Sequence, residues 1–220
     1  MSGGKDKIEW TLTADKKFSV KSLYKELITS GLKFPQKYLW KIKVPAKIKV
    51  FLWLVNKKSI LTRDVLFKKG WKGGKECVFS GQDESIDHLL FACSAASLLW
   101  SLVRCVCGLK SIPLNVKDCF GGWINKFNKE DKKMVMIGVS ALFWAIWKSR
   151  NAIVFERKRI NDPFQIIKLM VRWLVDWSIL QTKEPPRKML ELGARVLERA
   201  ANEVYTAGQG WRINVARLPG

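Results

Sequence analysis

The most constraining feature of the sequence is an apolar run of fourteen residues, Met134–Trp147, with the sequence MVMIGVSALFWAIW. The run is shorter than the roughly twenty residues that a helix needs to span a bilayer. Asn128, with Asp131 three residues later, can cap a helix that contains this run and continues to about Phe155. The sequence therefore predicts a buried helix, which requires other elements packed around it.

Capping residues and helix breakers divide much of the remaining chain into further helices. Proline at 45 and the pair Asp162-Pro163 suit helix N-termini, and Pro185-Pro186 is expected to break the helix that precedes it. The predicted helices are Ser19–Ser30, Ala46–Lys58, Arg63–Lys69, Ala95–Cys107, one from Asp162 to Gln181, and Lys188–Tyr205. A short strand at Glu9–Leu12, a turn at Asp15–Lys17 and a loop at Pro113–Gly122 are the other local predictions.

The only histidine of the chain lies between two of its five cysteines, in the stretch CVFSGQDESIDHLLFAC of residues 77–93. Zinc prefers four thiolate or imidazole ligands in a tetrahedron. Cys77, His88 and Cys93 have a suitable spacing, but Ser80 stands where a second cysteine would complete the set. A serine hydroxyl is a poor ligand because it keeps its proton at neutral pH. The spacing leaves open whether zinc binds through three ligands or whether the site has lost its metal.

Alternative interpretations of this stretch also stay open. Asp83, Glu84 and Asp87 are carboxylates that could replace the missing ligand or act as a general base beside a bound water. His88 and Cys93 could instead be ordinary core residues, because an apolar run lies between them. We find no phosphate-binding loop, no dinucleotide fingerprint and no aspartate pair in the setting of a two-metal site. We therefore expect no catalytic activity.

The net charge of +21, from 40 Lys and Arg against 19 Asp and Glu, favours a polyanionic partner such as nucleic acid. The segment from Lys33 to Lys75 holds thirteen basic residues and one acid, so the charge is concentrated before the Cys/His stretch. We predict non-specific binding to the phosphates of RNA or DNA, the alternative for each lysine being a solvated surface position. The predicted nucleic-acid-binding residues are Lys37, Lys41, Lys43, Lys47, Lys49, Lys57, Lys58, Arg63, Lys68 and Lys69.

Two tryptophans among these lysines, Trp40 and Trp71, could stack on single-stranded bases or could pack in the core. A second functional hypothesis is a structural or protein-interaction remnant, in which an exposed face of the helix at 164–180, with Trp173 and Trp177, docks another chain. The sequence does not decide the oligomeric state.

The odd number of cysteines argues against a disulfide framework, and the N-terminus MSGGKDKIEW has no apolar segment of a secretory signal. We expect a reducing compartment, either the nucleus or the cytoplasm, and no membrane partner.

Several blocks of sequence occur in a characteristic order around the Cys/His stretch. FSVKSLY at 18–24, LWKIKVPAKIKVFLW at 39–53 and LTRDVL at 61–66 precede it, and FWAIWKSRNAIVF at 143–155 follows it. Together they resemble the zinc-binding domain of plant non-LTR retrotransposon reverse transcriptases and the segment that follows it. That domain continues into C-x2-C, an acidic spacer, H-L-F/L-x-x-C and a tryptophan on the next helix, here Trp100.

The resemblance implies a nucleic-acid-handling module from the region after the polymerase, present here as a stand-alone or degenerate copy. It implies zinc as the cofactor, with Cys77, His88 and Cys93 as metal ligands and with Ser80 in place of the fourth family ligand. The predicted fold class is mainly α, with a small helical domain that carries a degenerate zinc loop, followed by a bundle of longer helices. The predicted segments are an N-terminal segment 1–17, the zinc-binding-like domain 18–108, a linker loop 109–128, a helical C-terminal region 129–207 and a tail 208–220.

Overall fold

The computed structural model describes residues 37–160 and 162–207, together with a few positions between 11 and 22. The chain separates into residues 1–37 and residues 38–220. In the first unit the predicted turn at residues 15–17 is present, since the Lys16 N–H donates to the Thr13 carbonyl (3.1 Å). Most of the predicted helix at 19–30, most of the predicted strand at 9–12 and the tail lie outside the described residues.

The described part of the second unit is helical, and its β-structure is limited to an isolated bridge between Glu76 and Asp83. The mainly helical fold with longer helices towards the C-terminus, predicted from the sequence, is thereby confirmed. The α-helices are α1 (Lys37–Lys41), α2 (Ala46–Asn56), α3 (Arg63–Lys68), α4 (Ser94–Val106), α5 (Val116–Asp118), α6 (Lys129–Glu156), α7 (Phe164–Ser178) and α8 (Glu184–Ala207). Two π-helical turns cover His88–Ala92 and Cys119–Trp123, and a 3₁₀ turn covers Ile124–Lys126.

Helix α6 contains the long apolar run and lies at the centre of the second unit. Its N-terminus is capped as predicted, because the Asn128 side-chain oxygen accepts from the backbone N–H groups of Glu130 (3.0 Å) and Asp131 (2.9 Å). The helix contacts α2, α7, the π-helical turn at 88–92 and the 3₁₀ turn. Among the described helices, none combines the length and the apolar character that a membrane crossing requires.

The C-terminal bundle forms because α7 packs against both α6 and α8, while α4 packs against α8. The prediction that Trp173 and Trp177 lie on an exposed face of α7 is wrong. Trp177 is buried, and the partly buried Trp173 ring lies 6.1 Å from it. At the other end of the hairpin, the Phe164 and Tyr205 rings meet edge to face at 4.8 Å. The aromatic side chains of α7 therefore contribute to the bundle core.

Two local predictions also need correction. The expected loop at 113–122 contains α5 and a π-helical turn, because the Asn115 side chain caps α5 and Phe120 is buried. Helix α8 begins at Glu184, four residues before the predicted start, and Pro185 and Pro186 lie in its first turn. Proline is tolerated there because the first backbone N–H groups of a helix have no partner within it.

Four aromatic rings join the Cys/His stretch to the later helices. The Trp100 ring lies about 6 Å from those of Phe91, Trp123 and Phe143, and its Nε1 donates to the Leu90 carbonyl (2.9 Å). These residues belong to one buried cluster that extends from the end of α1 to α8. The predicted boundaries at residues 108 and 129 therefore fall within a continuous core.

We expect Trp100→Ala to lower the free energy of unfolding by about 3–5 kcal/mol, because it removes a fully buried ring and its hydrogen bond. Trp40→Ala is the matched control, since 48% of the Trp40 surface is exposed, and it should cost less than about 1 kcal/mol. Urea unfolding followed by far-UV circular dichroism measures both. Equal losses in the two variants would show that Trp100 is not a central element of the core.

Candidate metal centre

A tight turn presents the first part of the Cys/His stretch. The Cys77 carbonyl accepts from the N–H groups of Ser80 (3.3 Å) and Gly81 (2.8 Å), and the Cys77 N–H donates to the Gln82 carbonyl (2.6 Å). Gly81 has φ +73°, a conformation that favours glycine because a Cβ atom would be strained there. This turn therefore holds Ser80 close to Cys77.

The second part of the stretch is a π-helical turn. The Cys93 N–H donates to the carbonyl of His88 (2.7 Å), five residues earlier, and Cys93 then occupies the N-cap position of α4. Single π-helical turns are frequent at functional sites because the extra residue redirects the side chains. Here the π-helical turn brings the His88 imidazole and the Cys93 thiol close to Cys77 in the preceding tight turn.

The ligand atoms of Cys77, His88 and Cys93 lie within 4.8 Å of one another, and all three residues are buried. The two sulfur atoms are 3.8 Å apart. A tetrahedral zinc that binds thiolates at about 2.3 Å holds its sulfur atoms at about this separation, roughly 3.8 Å. The Ser80 Oγ lies 2.9 Å from His88 Nε2, so the hydroxyl lies beside the cluster. The three residues predicted from their spacing are therefore brought together.

The two cysteines of the cluster have unequal acidities. The Cys77 thiol donates to the Cys93 sulfur, which keeps the proton on Cys77 and raises its pKa, an effect that burial reinforces. The same hydrogen bond lowers the pKa of Cys93 to about 6, helped by the backbone N–H groups of Ala95 and Ala96 at the N-terminus of α4. One thiolate is therefore already favoured, and zinc binding would require the second thiol to lose its proton.

This donor set fits zinc at three of the four tetrahedral positions, since it offers two sulfur atoms and one imidazole nitrogen. Zinc held by Cys77, His88 and Cys93 would cross-link the first turn to the N-terminus of α4. Ser80 offers only a neutral hydroxyl, hydrogen-bonded to His88, in place of a fourth thiolate.

The acidic residues of the spacer do not belong to this cluster. Asp83 is exposed on the β-bridge. The Asp87 carboxylate accepts from the backbone N–H of Val116 (2.8 Å) and from Lys58 Nζ (2.5 Å). Glu84 is buried and its carboxylate points to a different partner, described next. The proposals that these carboxylates replace a ligand or act as a base therefore find no support in the geometry.

A buried ion pair connects the spacer to α6. Glu84 accepts from Arg150 Nη2 (2.7 Å) and Nε (3.2 Å), and both side chains are fully buried although they lie 66 residues apart in the chain. The Glu84 carboxylate also accepts from the backbone N–H of Arg63 (2.8 Å). The Arg150 guanidinium lies 5.2 Å from the centre of the Trp147 ring. The pair was not predicted from the sequence, although an arginine that follows the most apolar helical segment indicates a buried partner.

The predicted phosphate-binding residues differ in their accessibility. Arg63 is only 6% exposed, and its Nη1 donates to the Glu76 carbonyl (2.6 Å). It is therefore unsuited to phosphate contact, and burial lowers its pKa. Lys49 is half-buried and donates to the Trp40 carbonyl (3.0 Å), while Lys58 is held by Asp87. The side chain of Lys37 lies outside the described residues.

Six of the predicted lysines are exposed, and the structure shows no ion pair for any of them within its described part. They are Lys41, Lys43, Lys47, Lys57, Lys68 and Lys69. Trp40 is about half exposed beside α2, whereas Trp71 is partly buried with the Arg63 guanidinium 5.6 Å from its ring centre. Trp40 is thus the more accessible of the two tryptophans.

Comparison with known proteins finds a family similarity in the first part of the chain. Residues 18–100 match the family described as zinc-binding in reverse transcriptase, which confirms the resemblance seen in the sequence blocks. An Arabidopsis thaliana protein named "Putative ribonuclease H protein" is 28% identical over 188 residues, which cover 80% of this chain. The chain spans 29% of the length of that relative. No solved structure matches the chain.

Arg150→Met should lower the free energy of unfolding by about 3–5 kcal/mol, because it leaves the Glu84 carboxylate buried without its partner. The double variant Glu84→Gln/Arg150→Met should lose less, since a neutral amide can still accept from the Arg63 N–H. Chemical denaturation of the wild type, both single variants and the double variant gives the coupling energy. Arg172→Met is the surface control, because Arg172 forms an exposed pair with Asp176, and it should cost less than about 1 kcal/mol. A coupling energy near zero would contradict this role of the pair.

Ser80→Cys should raise zinc affinity by on the order of a hundredfold, because the roughly 10–16 kcal/mol of a structural zinc site is shared among four ligands. Competition with a chromophoric chelator measures the affinity, and Co²⁺ absorption reports the number of thiolate ligands. Ser101→Cys, at an exposed position of α4, adds a thiol without altering the cluster and should leave the affinity unchanged. Wild-type affinity equal to that of Ser80→Cys would mean that three protein ligands suffice.

Proposed function

We propose that the chain is a non-catalytic nucleic-acid-binding module, derived from a retrotransposon reverse transcriptase, that contacts the phosphates of RNA or DNA. This proposal depends on the group of six exposed lysines that have no ion-pair partner in the described part of the chain. They lie on α1, the α1–α2 linker, α2 and its C-cap, and the end of α3. Such lysines release counterions when they meet phosphates, which is the source of non-specific affinity.

The contrast with α8 supports this location of the binding surface. In α8, Arg187, Lys188 and Arg199 each form an ion pair with a glutamate of the same helix. These cations already have a local counter-charge, so they contribute less to the attraction of a polyanion. The lysines of the six-residue group lack this compensation, so each contributes its full charge to the attraction of a polyanion.

The same lysines favour phosphate contact over base recognition. An ammonium group on a flexible stem contacts phosphate as a point charge, whereas sequence is read by groups that are held rigidly against base edges. The most rigid basic residues, Arg63 and Arg150, are buried and bonded to protein groups. The module consequently binds many sequences with similar affinity.

The side chains that could act in catalysis are already engaged in structural contacts, which is consistent with a non-catalytic role. The only histidine of the chain is buried, and its Nε2 faces the Ser80 hydroxyl. Glu84 and Asp87 are engaged in the contacts that fix the Cys/His stretch. Any base or nucleophile at this place would first have to break contacts on which the local structure depends.

We assign zinc a reduced role in this chain. The Ser80–His88 and Cys77–Cys93 hydrogen bonds close the cluster, and the Glu84–Arg150 pair holds its spacer. These contacts support our inference that the loop is a lapsed zinc site, held by protein contacts instead of a metal. The phosphate-binding lysines do not depend on the metal for their position.

A protein-interaction role is the second candidate, and a different observation favours it. The α7–α8 hairpin exposes Ile179 (69%), Leu192 (60%) and Met189 (58%), and Val196 follows on the same helix. Sedimentation velocity separates the two functions. Dimerisation that is unaffected by salt and by nucleic acid would favour the interaction role over phosphate binding.

The exchange of Lys47, Lys57 and Lys69 for glutamine should weaken nucleic-acid binding and lower the slope of log affinity against log salt by about two to three. Fluorescence anisotropy with labelled RNA and DNA over a salt series measures both quantities. The exchange of Lys110, Lys117 and Lys168, three exposed lysines elsewhere, removes the same charge and should change the slope by less than about one. Absence of wild-type binding at about 50 mM salt and roughly 100 μM protein would refute the proposed function.

A further inference from the structure

A cleft of about 410 Å³ lies between the α1–α2 linker, the first turns of α6 and the connection from α7 to α8. This volume is within the range of pockets that hold small organic groups, roughly 300–1,000 Å³. The cleft brings together residues from both ends of the second unit, with Lys41 and Lys43 on one side and Lys183 on the other. Sequence proximity alone gave no indication of this grouping.

Some of the charged residues around the cleft have a bonded partner, and others do not. Lys133 is paired with Glu130 at 2.9 Å, and the Asp131 carboxylate accepts from the Asn128 amide (2.6 Å). Lys41, Lys43 and Lys183 have no ion-pair partner in the part of the chain that the structure describes. The cleft is therefore lined by four lysines and two carboxylates, an excess of two positive charges, and Lys41 and Lys43 are the cations farthest from compensation because Lys183 also interacts electrostatically with Glu130.

The frame of the cleft is held by a hydrogen bond between distant segments. Gln181 Nε2, just after α7, donates to the Lys43 carbonyl and to the Trp177 carbonyl, both at 2.9 Å. This contact joins segments that are 138 residues apart and fixes the backbone that carries Lys43 relative to the backbone that leads to Lys183. The backbone segments that carry the cations on the two sides are thus held in a defined arrangement.

Apolar side chains form the inner surface of the cleft. Ile42 and Ile137 are buried, Met134 is partly buried, and Met189 is 58% exposed. Thioether side chains are polarizable and adapt to flat aromatic groups. The combination of cations at the mouth and an apolar interior matches the two parts of a nucleotide, its phosphate and its base.

We propose that this cleft holds a nucleotide unit of a single-stranded nucleic acid, with the phosphates at Lys41, Lys43 and Lys183 and the base against Met134 and Met189. The proposal rests on the proposed function and adds to it a binding site that prefers single strands over duplex. A base inside a duplex is paired and stacked, so only an unpaired base can enter the cleft. The C-terminal bundle then takes a direct part in binding, through residues beyond the matched segment 18–100.

The variant Lys43→Gln/Lys183→Gln tests the cleft with fluorescence anisotropy of a labelled twenty-residue oligothymidine. We expect roughly tenfold weaker binding and a salt slope lower by about 1.4, which corresponds to two lost contacts with a single strand. Binding to a duplex of the same length should change by less than about threefold. Lys110→Gln/Lys168→Gln removes the same charge at exposed positions outside the cleft and should have a small effect on both nucleic acids.

A second variant tests the apolar interior. Met189→Glu places a carboxylate at an exposed position of the cleft, so it should weaken oligothymidine binding without affecting the fold, which thermal unfolding checks. Thymidine monophosphate at millimolar concentration should compete with the oligonucleotide if the nucleotide unit itself is recognised. A lack of competition, or an effect of Met189→Glu on single strand and duplex alike, contradicts the proposed placement of the base.

The possible outcomes separate a failure of the cleft proposal from a failure of the proposed function. Equal weakening by the two double variants, or wild-type affinity of Lys43→Gln/Lys183→Gln, would overturn the cleft while leaving phosphate binding by Lys47, Lys57 and Lys69 intact. Failure of the wild type to bind any nucleic acid would overturn both proposals together.

Discussion

The ion pair between Glu84 and Arg150 is the contact on which the arrangement around the Cys/His stretch depends. A carboxylate and a guanidinium without solvent access are costly to bury, so each is retained only where the other is correctly placed. Glu84 also accepts from the Arg63 backbone, which ties the start of α3 to the same point. The spacer, α3 and α6 are thereby fixed to one another, and the Trp100 ring cluster fills the space beside them.

Because of the Glu84–Arg150 ion pair, the structural unit extends beyond the segment that matches the family. The family match ends at residue 100, whereas the partner of Glu84 lies on α6 and the ring neighbours of Trp100 lie at 123 and 143. A segment cut at the end of the match would leave a buried carboxylate without its cation and a tryptophan without part of its packing. The downstream block FWAIWKSRNAIVF supplies Arg150, which is the ion-pair partner of Glu84 within the Cys/His stretch.

The sequence was informative where the signal is local. The N-cap of α6, the ends of α4 and the grouping of Cys77, His88 and Cys93 follow from capping chemistry and spacing. The helical turns at 116–126 are too short to show a periodicity, and prolines concealed the start of α8. The partner of Glu84, the burial of Arg63 and the position of Lys183 depend on contacts between distant segments, which no local pattern encodes.

The hydroxyl of Ser80 has a consequence for the conditions under which the loop persists. With a cysteine at this position, the loop would gain most of its stability from a bound metal. Its structure would then depend on the supply of zinc in the cell. Ser80 instead forms a hydrogen bond with His88 that requires no ion. A loop held by this contact alone would persist through metal starvation or chelation that unfolds a four-ligand zinc domain.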